Sequence, residues 1–128
     1  MLYKSMILLS HDEMLWIFLF LVLFDFITGY LKSWKWKVTD SAIGTKGVIK
    51  HTSTFIFYAF LIYLGYYFNI TLIAQMLLSL VMLTYATSIL ENLGVMGVYV
   101  PSFLKNRIEK EILKYENMLK EDKFYEKR

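Results

Sequence analysis

The chain has 128 residues and a net charge of +3, and 57% of it is hydrophobic and 18% aromatic, which is too apolar for an ordinary soluble domain of this size. Its 14 lysines and arginines are scattered among three regions rather than gathered in one stripe that could track phosphates, so no nucleic-acid partner is expected. With no cysteine, the sequence offers neither a disulfide framework nor a thiolate metal site nor a thiol nucleophile.

Residues 1–13 carry an isolated Lys4 and a polar Ser10-His11-Asp12-Glu13 run, and no small-residue cleavage site closes their apolar stretch. They are read as an extracytoplasmic N-terminal segment ahead of a retained span. That first span is expected over about 14–31, where eighteen residues at 1.5 Å each cover ~27 Å, enough for a hydrocarbon core. Asp25 lies past its middle. A central Asp costs about 2.5–3.5 kcal/mol on an insertion scale, whereas each Leu, Ile, Phe or Val returns about 0.3–0.6. Twelve such residues lie in this run, so insertion still wins.

Asp25, Gly29 and Lys32 share a helix face, with Thr28 adjoining. Intramembrane carboxylates mark a pathway or a pairing site; the plainer alternative is a bond to Thr28, or a pairing with Lys32 or Lys50 that ties helices together. Both stay open on the sequence. The cluster Lys32, Trp34, Lys35, Trp36 and Lys37 reads as an interfacial anchor. Gly44-Thr45-Lys46-Gly47 lacks the spacing of a phosphate loop and reads as a turn into the next helix.

No charged residue occurs from Thr52 to Leu90, about twice the length one span needs. The stretch divides at Gly65-Tyr66-Tyr67-Phe68-Asn69, giving helices of about 48–67 and 71–91 joined by an interfacial turn. In the second, Gln75, Ser79, Thr84, Ser88, Glu91 and Asn92 form a polar edge that would associate with like faces or line water in an assembly. Gly94, Gly97 and Pro101 form the turn that follows. Leu104, Ile108, Ile112, Tyr115 and Leu119 then recur at helical spacing, predicting an amphipathic helix from 102 to about 124 that lies on the membrane or forms a coiled coil.

The expected fold is therefore an all-α membrane protein. It comprises a three-helix transmembrane domain over 14–93 and, over 94–128, a cytoplasmic Gly/Pro turn with a charged amphipathic helix. Both basic segments fall on one side only if there are three spans, which puts the N-terminus outside and the C-terminus inside. Nothing suggests an enzyme: His11 and His51 are placed on opposite sides of the membrane, and no HExxH, Gly-x-Ser-x-Gly or phosphate-cradling motif appears. No catalytic residue, cofactor or metal is expected.

Read in order, Asp25-Phe26-Ile27-Thr28-Gly29 with Lys32, Gly44 to Gly47 with Lys50, Ser88-Ile89-Leu90-Glu91-Asn92, and Gly97-Val98-Tyr99-Val100-Pro101 with Leu104 resemble the phage-lysis and toxin-secretion holin family. The likeness covers about 25–108. It implies a bacterial cytoplasmic-membrane protein that homo-oligomerises and permeabilises the bilayer, releasing an endolysin or large toxin as indirect cargo. Family members commonly carry Asn-Glu where this chain has Thr84-Tyr85. The alternatives are a membrane-disrupting effector of an antiphage or toxin system triggered by a partner, and a small transporter or membrane scaffold.

Overall fold

A computed structural model describes residues 1–36 and 41–126, with side chains described for 1–36 and 44–121. Five helices follow one another: α1 (Leu2–Ser10), α2 (Glu13–Lys35), α3 (Ser41–Phe68), α4 (Thr71–Val95) and α5 (Ser102–Glu126). Among the described residues there is no strand. Three helices are long and apolar enough to cross a membrane, Glu13–Lys35, Gly44–Phe68 and Thr71–Val95. Lys37 lies outside the described residues.

The boundaries have local causes. Asp12 caps α2, its carboxylate accepting a bond from the Leu15 amide at 3.1 Å. The turn after α3 uses Asn69 in the left-handed region (φ 58°), with the Ile70 amide donating to the Gly65 carbonyl at 2.9 Å. The end of α4 repeats the device with Gly97 (φ 92°): Val98 N–H bonds Leu93 O at 3.0 Å and Gly97 N–H bonds Gly94 O at 3.1 Å. Both are Schellman closures, which satisfy carbonyls the last helical turn leaves open.

Three expectations need correction. Residues 44–47 are not a turn: α3 begins at Ser41 and both glycines are helical. Neither has a positive φ, and a Cβ on Gly47 would only touch the Phe26 ring at 3.7 Å, so nothing in the backbone stops the helix there. Gly94 stays inside α4, and the chain breaks three residues later, where a left-handed conformation is needed. The N-terminal segment contains α1, which packs against α3.

α2 and α4 run parallel and form the main pair, with α3 antiparallel to both and packed against them. The core lies between them: Leu15, Phe18 and Val22 from α2, Ile62 from α3, and Ala74, Leu78 and Tyr85 from α4. Phe18 is fully buried among Phe55, Tyr58 and Tyr85, with ring centroids 5.7–5.8 Å apart. Close approach at the hairpin depends on Gly65, where a Cβ would stand 3.1 Å from Ala74 Cβ. Away from the core, α3 exposes Ile49, Ile56, Phe57 and Phe60.

α5 turns back along α4. Lys105 meets Glu91 at 3.5 Å near the end of α4, and further along Glu111 and Tyr115 line a groove of about 290 Å³ with Met14 and Leu21 of α2 and Ser79, Met82, Leu83 and Ala86 of α4.

Candidate functional site

The site is a buried polar junction where α2, α3 and α4 meet. Asp25 and Thr28 stand one turn apart on α2, Asn92 lies in the last turns of α4, and all three are buried. The Asn92 amide nitrogen donates to Asp25 Oδ1 at 3.3 Å and to Thr28 Oγ1 at 3.2 Å, so both amide hydrogens are used. The Thr28 hydroxyl in turn donates to the Asp25 main-chain carbonyl at 3.1 Å.

α3 closes the junction with His51, whose Nε2 lies 3.8 Å from Asp25 Oδ2 and whose Nδ1 lies 3.0 Å from the Tyr85 hydroxyl. The tautomer that serves both neighbours carries its proton on Nε2, facing the carboxylate, and accepts from Tyr85 at Nδ1. Phe26 and Tyr85 pack edge-on or tilted against the imidazole at 6.0 and 5.6 Å. Gly29 lines the same place, a Cβ there reaching Asn92 Nδ2 at an ordinary 3.7 Å. Among the described residues no buried side-chain nitrogen or oxygen lacks a partner.

Of the sequence alternatives for Asp25, pairing within the protomer is the one the coordinates contain. Its partners are His51 and Asn92, whereas Thr28 bonds the main chain of Asp25 and not its carboxylate. His51 and Tyr85 are the residues that sequence reasoning missed. Helical spacing reveals neighbours on one helix only; counting depth from the helix ends would have found His51, which is about ten residues into α3 while Asp25 is about ten residues from the end of α2.

The polar edge of α4 is divided. Asn92 belongs to the junction. Ser79 and Thr84 bond back to the carbonyls of Gln75 and Leu80, at 2.8 and 3.0 Å. Gln75 and Ser88 are half-buried, and Glu91 is exposed and paired with Lys105. At the interfacial cluster Trp34 and Trp36 are exposed and Lys32 is half-buried. Lys35 reaches across to the Met96 carbonyl at 2.6 Å and so fastens the ends of α2 and α4 together. At the opposite end Tyr66 donates to Asp12 Oδ2 at 2.5 Å. Pro101 is half-buried just before α5. Among the described residues no group of three or more His, Asp or Glu side chains could hold a metal.

Three apolar helices of spanning length, fastened at both ends and joined by a satisfied polar core, define a small multi-pass membrane protein. A model of the bacteriophage holin family matches residues 3–112, and the chain belongs to that family. No curated protein and no solved structure matches it.

Proposed function

We propose that the protein is a holin in action as well as in family: it oligomerises in the bacterial cytoplasmic membrane and permeabilises it, letting an endolysin or a large toxin leave the cell. The observation that carries this reading is the family match over residues 3–112 on a chain with three spanning-length helices. N-terminus outside and C-terminus inside is the orientation that the lysine distribution favours, since Lys32, Lys35, Lys46 and Lys50 and the start of α5 share one end of the bundle.

The junction supports a division of labour. Asp25, Thr28, His51, Tyr85 and Asn92 satisfy one another inside a single protomer, so a solitary copy can rest in lipid without an unpaired polar group. Assembly then proceeds through outward faces, and the balance between solitary and assembled protein shifts with concentration. Gln75, Ser79, Thr84, Ser88 and Glu91 are the α4 groups proposed to enter contacts between helices. Trp34 and Trp36 hold the depth of the protomer at the interface.

Inducible expression in bacteria with membrane potential recorded tests the reading. Collapse of the potential after a delay, followed by loss of viability, is the expected course. Unchanged potential and growth at high protein levels would overturn it.

A further inference from the structure

The two sides of the α2–α4 layer carry opposite chemistry. On one side lies α3, whose exposed Ile49, Ile56, Phe57 and Phe60 offer the apolar surface that lipid solvates. On the other lies α5, antiparallel to α4, with Lys105 at Glu91 and Glu111 and Tyr115 in the groove shared with Ser79 and Ala86. Both helices have 25 residues, so α5 accompanies the span over much of its length. Ile108, Ile112, Tyr115 and Leu119 are half-buried, whereas Arg107, Lys110, Lys114, Asn117 and Glu121 are exposed.

Hydrocarbon does not solvate such a row of charges. Ionised side chains beside spanning helices face a protein interior or water. A docked α5 is therefore compatible with a bilayer only if its outer face is wet, and the lipid-facing α3 on the far side gives the protomer the two-sided character of a wall element. We propose that α5 remains docked on the α2–α4 groove in the membrane-inserted assembly and forms its aqueous lining. This rests on the permeabilising reading above and adds which element meets the water: α5, rather than the hydroxyl edge of α4, part of which already bonds its own backbone.

The absence of native cysteine makes the test clean. Full-length Ala86→Cys/Glu111→Cys protein is reconstituted into vesicles holding fluorescent dextran, with and without a short bis-maleimide bridge across the groove. Ser79→Cys with Tyr115→Cys serves where the first pair fails to incorporate. Bridged protein is expected to release dextran within about twofold of unbridged protein, and a bulky membrane-impermeant maleimide on Lys114→Cys to label the assembled protein and slow release, as side chains lining a conduit do. Loss of release on bridging, or a Lys114→Cys thiol unreachable in the assembly, would overturn the assignment. No release from unbridged protein either would remove the permeabilising reading, and the lining role with it.

Discussion

Replacing Asn92 with leucine isolates the contribution of one buried amide, because its two hydrogens serve Asp25 and Thr28 on a different helix. The substitution leaves a carboxylate oxygen without its donor in the bundle interior, and a buried group stripped of its partner costs about 1–3 kcal/mol. Asn92→Leu is therefore expected to unfold earlier in detergent micelles by that amount, with Asp25→Asn, which keeps an amide oxygen for Asn92, falling between it and the parent. Equal unfolding points for all three would mean that the junction does not hold the spans. Gly29→Ala is expected to be neutral or to stabilise by up to about 1 kcal/mol, since the added methyl meets Asn92 at an ordinary distance and alanine is the better helix former. A marked loss in the same melt would show that the space beside Asn92 is tighter than the coordinates place it.

The helix terminators give sharper expectations at the next scale. Gly97 holds φ 92°, a region where an L side chain is strained, so Gly97→Val is expected to cost about 1–2 kcal/mol and to loosen the α4–α5 connection. Asn69→Gly keeps the left-handed turn after α3 and should unfold within a few tenths of a kcal/mol of the parent, whereas a β-branched residue there should not. Denaturant titration of the three variants checks the order; a Gly97→Val protein as stable as Asn69→Gly would contradict it. These positions also show what the sequence discloses. The spans were legible because uninterrupted apolar runs have few other uses, and the hairpin was legible because Gly65 and Asn69 sit at its two critical points. The start of α3 was not, because Gly44 and Gly47 suggest a turn although both adopt helical geometry. α1 was hidden by its length, nine residues without caps or a repeating pattern, stabilised by packing on α3. In the junction, Asp25, Thr28, Gly29 and Asn92 stood out as polar or small residues in apolar surroundings. His51 and Tyr85 did not, since their role depends on the register between helices.

For the whole molecule, the exposed apolar side of α3 and the charged side of α5 set the environment the protomer needs. Lysine at the centre of a span costs about 2.5–3.5 kcal/mol, so Phe57→Lys and Phe60→Lys together should shift the protein from the membrane fraction, while Lys110→Gln on α5 should leave that fraction unchanged. Retention of the double lysine variant in carbonate-washed membranes at the parent level would show that α3 does not face lipid. The most direct measurement of the central claim is release of a folded, lysin-sized enzyme trapped in proteoliposomes as the protein-to-lipid ratio rises. A steep onset above a threshold ratio, with small solutes and the enzyme escaping together, is the predicted result. Full retention of the enzyme at every ratio, with the protein correctly inserted, would contradict it.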